Sequence, residues 1–229
     1  MIKIEFIPYP FNYLKFLKRD NMRKADPVIF VVDDDPSVRI ALERLIKSVG
    51  FRVQTFDTAQ PFLNAVPCDA PSCLILDVRL PQMSGMELQQ EMAIRGLDMP
   101  IIFITGHATV SMSVRAMKGG AMDFLEKPFE EQQLLDAIQS AVAKDRQSKQ
   151  QQAEREQIQQ RAASLTPREY EVFRLVVSGR LNKQIADDLA ASEKTIKVHR
   201  ARVMDKMKAQ SLASLVRMAE KIGVFGGSD

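Results

Sequence analysis

The stretch that most constrains this 229-residue chain is Leu74-Ile75-Leu76-Asp77-Val78-Arg79-Leu80-Pro81-Gln82-Met83-Ser84-Gly85, where an apolar run stops on a single carboxylate. A run of Leu and Ile closed by Asp77, then by Pro81 and Gly85, reads as a buried strand that ends in a loop. Asp77 therefore belongs at the strand's carboxyl end. In open α/β sheets that edge is where ligands bind.

The neighbouring sequence supplies the rest of such a sheet. Val28 to Val32 reads as a strand, and Ser37 to Val49 carries apolar residues at helical spacing, with Gly50 as its C-cap. Four further β/α units follow. Strands are predicted near Arg52 to Phe56, Ser72 to Leu76, Ile101 to Ile104 and Asp123 to Leu125. Helices are predicted near Ala59 to Ala65, Ser84 to Arg95, Thr109 to Lys118 and from Glu130 onward. This (βα)5 pattern implies a doubly wound parallel sheet with right-handed crossovers.

Strand one ends on Asp33-Asp34-Asp35-Pro36, where Asp35 suits an N-cap followed by proline at N1. That leaves Asp33 and Asp34 at the same edge as Asp77. Three acidic side chains that converge call for a hard cation, and Mg2+ with its preference for oxygen suits them. Strands four and five place the hydroxyl of Thr105 and the ammonium of Lys127 at that edge too. An oxygen nucleophile, cation-binding acids, a hydroxyl and a lysine are the parts that phosphoryl transfer requires, with Asp77 as the nucleophile. The competing reading is a solvated acidic loop. His107 reads as an ordinary loop histidine.

Composition adds little by itself: 45% of residues are hydrophobic, enough for packed cores, and the formal charge is only +3. Its distribution says more, because basic residues crowd the C-terminal third and point to a nucleic-acid partner there. Cys68 and Cys73 read as reduced and structural. No apolar run is long enough to cross a bilayer, and Glu5, Pro8 and Pro10 break the first residues, so cytoplasm is the expected compartment and no membrane partner is expected. Residues 1–26, aromatic and proline-broken around Phe6 to Tyr13, read as a loosely ordered extension. Residues 144–163 are rich in helix formers, lack Gly and Pro, and are almost without apolar residues, which predicts a solvated helical linker.

From residue 164 the pattern is all helical. Thr166-Pro167-Arg168-Glu169 has the form of a capping box with proline at N1. Asn182 is read as the cap of a short helix with Ile185, Ala186 and Leu189, and Ser192 as the cap of another running to Met207. Two short helices joined by a tight turn form helix-turn-helix geometry. On the second, Ile196, Val203 and Met207 share one face, His199 is semi-buried beside them, and Lys194, Lys197, Val198, Arg202 and Lys208 lie elsewhere. A basic face directly after a turn is what entry into the DNA major groove requires.

Val32-Asp33-Asp34, Leu76-Asp77, Ile104-Thr105-Gly106 and Glu126-Lys127-Pro128-Phe129 together resemble the receiver domains of two-component response regulators, over residues 27–143. The resemblance implies that Asp77 is phosphorylated by a sensor histidine kinase and that Asp33, Asp34, Asp77 and the Arg79 carbonyl form a Mg2+ site. It further implies that Lys127 pairs with the phosphoryl group, that Thr105 and Phe124 are the switch residues, and that the Lys127–Pro128 bond is cis. Leu165 to Glu169, Asn182 to Ala186 and Thr195 to His199 resemble the LuxR-type output domain over residues 164 to about 222, in a domain expected to span 164–229, and the whole is similar to the FixJ-like branch of the NarL/FixJ family, which includes regulators of aromatic catabolism. That resemblance implies base contacts from Lys197 and Val198, backbone contacts from Lys194 and Thr195, further DNA contacts from Lys183 and Arg202, and a dimer-forming helix from Ser211 to Ile222. Ala201 stands where some members carry a second basic reader. The expected protein is a promoter-binding transcription regulator, homodimeric when phosphorylated, with RNA polymerase a further partner. It is not expected to be an enzyme. The rivals are a haloacid-dehalogenase-like phosphatase, which needs a second carboxylate where this chain has Arg79, and a receiver that acts only through protein contacts.

Overall fold

The computed structural model describes residues 26–66 and 68–224. The aromatic segment from Phe6 to Tyr13 lies outside them. Among the described residues, Val28–Val32 (β1), Ser72–Asp77 (β3) and Ile101–Thr105 (β4) are buried at every position, the condition of strands covered by helices on both faces. Arg52–Phe56 (β2) and Asp123–Glu126 (β5) are partly exposed and lie at the two edges of a parallel sheet in the order β2-β1-β3-β4-β5. This is a flavodoxin-like order, and the sheet is the doubly wound parallel one that the alternating pattern predicts.

Helices Pro36–Ser48 (α1), Ala59–Ala65 (α2), Gly85–Ile94 (α3), Val110–Lys118 (α4) and Glu131–Ala163 (α5) follow the strands in turn. Strand periodicity sorts the core into two layers. Phe30, Leu74, Leu76 and Phe103 pack with Phe62, Leu88, Met92 and Ala116 on one face. Ile29, Val31, Ile75, Ile102 and Ile104 pack with Leu42, Ile46, Leu134 and Ile138 on the other. The caps follow local chemistry: Asp35 Oδ1 accepts the Ser37 N–H at 2.8 Å, and Ser84 and Glu87 form a reciprocal capping box at the start of α3.

The chain divides into two compact units between Ser148 and Lys149. In the second, Pro167–Val177 (α6), Asn182–Asp188 (α7), Glu193–Met207 (α8) and Leu212–Lys221 (α9) enclose Val172, Phe173, Val176, Ile185, Ile196, Val203, Met207 and Leu215. Two details differ from expectation. Asn182 is the first residue of α7, not its cap: Leu181 holds the cap position, and its N–H is taken by Gln184 Oε1 at 2.8 Å, so the amide three residues on does the capping. The glutamine-rich end of α5 is also less solvated than its composition implies, since Ile158 is buried in this second core.

Candidate functional site

Strand register decides which side chains meet at the carboxyl edge of the sheet. Val32 of β1 pairs with Leu76 of β3, so the next residues, Asp33 and Asp77, lie level on neighbouring strands. Asp77 pairs with Ile104, and Thr105 with Glu126, which steps Thr105 and Lys127 outward along the same edge. The Lys127 N–H continues the ladder to the Thr105 carbonyl at 2.7 Å. β1 is also where the strand order reverses, the place where such sheets leave a crevice.

Asp33 is fully buried, with Oδ1 accepting the Asp35 N–H at 2.9 Å and Oδ2 accepting the Lys127 ammonium at 2.6 Å. The same ammonium reaches Asp77 Oδ2 at 3.1 Å, while Asp77 Oδ1 accepts the Arg79 N–H at 3.1 Å. Asp34 is exposed at the rim, and one carboxylate oxygen from each of Asp33, Asp34 and Asp77 lies within 4.8 Å of the other two. Burial pushes the Asp33 carboxyl above its ordinary value, with the Lys127 hydrogen bond and charge opposing it. Burial also works against the Lys127 charge, but the hydrogen bond it donates to Asp33 and the two carboxylate charges outweigh it and hold the ammonium above its usual range.

The supporting residues are positioned by backbone. Arg39 Nη1 donates to the Asp33 carbonyl at 2.7 Å, a contact no motif announced. A Cβ on Gly85 would stand 2.3 Å from the Asp77 carbonyl oxygen, so the start of α3 can close over the Asp77 loop only without a side chain there. Arg79 reaches the cluster through its N–H, with its side chain exposed. Thr105 is buried and its Oγ1 accepts the His107 N–H at 3.3 Å, while His107 itself lies exposed in the loop. Phe124 is half-buried with its ring centroid 6.3 Å from that of Phe103, and Lys127–Pro128 is cis.

In the second unit, α8 buries Ile196, Val203 and Met207 and leaves Lys194, Thr195, Lys197, Val198 and Arg202 exposed, with Lys183 exposed on α7. Ser192 Oγ caps α8 by accepting the Thr195 N–H at 3.1 Å. His199 is half-buried as its spacing predicted. Two ties escaped the sequence reading. Arg200 Nη1 donates to Asn182 Oδ1 at 3.1 Å and joins α8 to α7; Lys206 Nζ donates to Glu169 Oε2 at 2.6 Å and joins α8 to the capping box of α6. The Lys206 hydrogen bond, helped by the Thr166 N–H, holds the Glu169 carboxyl down at about 2. Among the described residues no helix is long and apolar enough to cross a membrane.

Comparison with known proteins agrees with both halves of this geometry. Residues 29–139 match the response regulator receiver domain, and residues 163–219 match the bacterial regulatory proteins of the luxR family. The chain is 47% identical to nodulation protein W of Bradyrhizobium diazoefficiens, over 86% of this chain and 87% of that protein. It is 44% identical to transcriptional regulatory protein FixJ of the same organism, over 86% and 96%. Among solved structures, the response regulator StyR superposes with a TM-score of 0.79 at 48% identity, covering 86% of this chain and 100% of that one. The chain belongs to the FixJ-like branch of the two-component response regulators, a receiver domain followed by a LuxR-type DNA-binding domain in a transcription regulator.

Proposed function

We propose that Asp77 takes a phosphoryl group from a sensor histidine kinase, and that phosphorylation favours a homodimer that binds promoter DNA. The observation that carries this reading is the Lys127 ammonium spanning two buried carboxylates, 2.6 Å from Asp33 and 3.1 Å from Asp77. A carboxylate oxygen of Asp77 attacks phosphorus as its bond to the donor's imidazole nitrogen breaks, leaving an acyl phosphate. Lys127 already faces Asp77 and can pair with the charge that arrives. Thr105, buried on the next strand, is the hydroxyl that turns toward the phosphoryl group, and Phe124 follows it. The donor set of Asp33, Asp34, Asp77 and the Arg79 carbonyl is all oxygen, with three carboxylates against one ammonium, and so suits Mg2+. When bound, Mg2+ supplies charge neutralisation at the phosphoryl oxygens.

Val110, Val114 and Met117, 81%, 46% and 48% exposed, make an apolar stripe along α4 that supports this helix as the dimer face. In the output half, Lys197 and Val198 read base edges, Lys194, Thr195, Lys183 and Arg202 hold the DNA backbone, and α9 forms a second dimer contact. Two recognition helices then fall roughly 34 Å apart, one turn of DNA. On this reading the functional divisions are receiver 27–143, linker 144–163 and output 164–229. The protein works in the cytoplasm, with RNA polymerase as a further partner, and is not an enzyme, because Arg79 stands where a haloacid-dehalogenase-like phosphatase needs its second carboxylate.

Asp77→Asn should abolish labelling by a small phosphodonor with Mg2+ and leave DNA binding at its unphosphorylated level. Labelling undiminished by that replacement would refute Asp77 as the acceptor.

A further inference from the structure

Helix α4 has its buried polar tie at one end. Of its nine residues only Ala116, near the C-terminus, is buried. Beside it, Gln89 of α3 is buried and donates through Nε2 to the Ala116 carbonyl at 3.2 Å. That carbonyl also accepts the Ala121 N–H at 3.1 Å, so α3, α4 and the approach to β5 meet on one oxygen. Gly119 closes the arrangement. Its φ of −75° is open to any residue, but a Cβ there would stand 2.6 Å from Gln89 Oε1 and 2.9 Å from its Cδ. A side chain at Gly119 would force the Gln89 amide to shift, so the constraint there is space and not backbone conformation. A buried amide is unfavourable unless bonded, and an apolar side chain would fill the same volume without that demand, so the bond calls for a role.

The other end of α4 carries no such buried amide: Met112 packs partly buried against the core, and Thr109 Oγ1 caps the helix by accepting the Met112 N–H at 3.2 Å. Its cap Thr109 and first residue Val110 are exposed, and the preceding Ala108 N–H meets Glu126 Oε1 only at 3.4 Å. This end joins the loop that begins directly after Thr105.

We propose that Gln89 is a positioning residue for the switch: its amide pins the C-terminal end of α4, Gly119 makes room for it, and α4 turns about this point when the Thr105 loop moves. The inference rests on the reading of Thr105 as the switch hydroxyl and of the α4 stripe as a dimer face. Pinning one end converts a small displacement at the loop into a rotation that re-aims Val110, Val114 and Met117. Without the pin, the helix can shift as a whole, and the dimer equilibrium loses its dependence on phosphate.

The test uses the full chain with acetyl phosphate and Mg2+, reading Asp77 labelling by intact mass and dimerisation by sedimentation. Wild type should gain roughly 5–150-fold in dimer association on phosphorylation, the usual range for coupled sites. Gln89→Leu should label normally, while its gain falls to within about twofold of none. Gly119→Ala should lower both melting temperature and gain. Adding Gln89→Ala to Gly119→Ala removes the clash and should restore the melting temperature without the gain, which a purely structural role would not produce. A wild-type gain in Gln89→Leu, or a gain recovered in the double variant, would overturn the proposal. Wild type that labels at Asp77 without dimerising would overturn the dimer reading and the pin together, and the labelling would show that phosphorylation itself stands.

Discussion

Lys127 and Lys197 carry the same ammonium into opposite surroundings. The Lys127 side chain is 19% exposed and bridges two buried carboxylates; Lys197 is exposed on α8. A buried charge must be paired inside the protein, so its partners are fixed by strand register before any ligand arrives. An exposed charge is nearly neutral for folding and takes its meaning from what binds. The receiver edge therefore spends conformational order on its chemistry in advance, whereas the DNA-facing helix leaves it to the complex.

The largest expected effect breaks or sharpens that contrast directly. Lys127→Ala leaves Asp33 and Asp77 buried without their counter-charge and should lower receiver stability by about 3 kcal/mol, the low end for a broken buried pair. Lys197→Ala should stay within about 0.5 kcal/mol, as surface substitutions do. Urea denaturation of the two variants measures both. Similar losses at the two positions would mean that the bridge seen at Asp33 and Asp77 contributes little.

The same contrast explains what could be read from the chain alone. Asp33, Asp77 and Thr105 each end an apolar run and Lys127 follows a strand directly, and parallel register must bring such ends to one edge, so their convergence was legible from period and spacing. The two-helix turn and the exposed basic residues of α8 were legible for a similar reason, since 3.6-residue periodicity sorts faces. Contacts that depend on what a face happens to meet were not. Ile158 is one isoleucine in a glutamine-rich stretch, and only the core it enters makes it buried. Asn182 is a good capping residue by type, yet its Oδ1 accepts from Arg200, and at this helix start Gln184 bonds the Leu181 N–H. Gln89 and Gly119 are thirty positions apart and unremarkable singly.

A smaller effect concerns a polar tie within the second unit. Glu169, with its carboxyl held at about 2 chiefly by Lys206, has an ordinary unfolded value near 4.3. A carboxyl depressed in the folded state adds stability above the unfolded value, and that contribution disappears as pH falls through the folded one. The unit should therefore weaken between about pH 4.3 and about pH 2, and Glu169→Gln should flatten that slope. Methyl NMR signals of Val172 and Val203, both in this core, follow the transition without interference from the receiver. An unchanged slope in Glu169→Gln would assign the acid sensitivity to other groups.

The smallest effect separates two lysines on the same helix. Lys194 lies in the first turn of α8 and Lys197 one turn on, both exposed, so folding cannot distinguish them. As a backbone contact, Lys194 should weaken operator and unrelated DNA alike when replaced by Ala, and should reduce the slope of log affinity against log salt by about 0.9 for each phosphate released. As a base reader, Lys197 should cost roughly 1–3 kcal/mol on the operator and narrow its margin over unrelated DNA. Fluorescence anisotropy across a salt series resolves the two. If Lys194→Ala erodes discrimination while Lys197→Ala changes only the salt slope, their roles are exchanged, and α8 enters the groove rotated by roughly 60° around its axis, the angle between residues three apart, from the orientation inferred from its buried face.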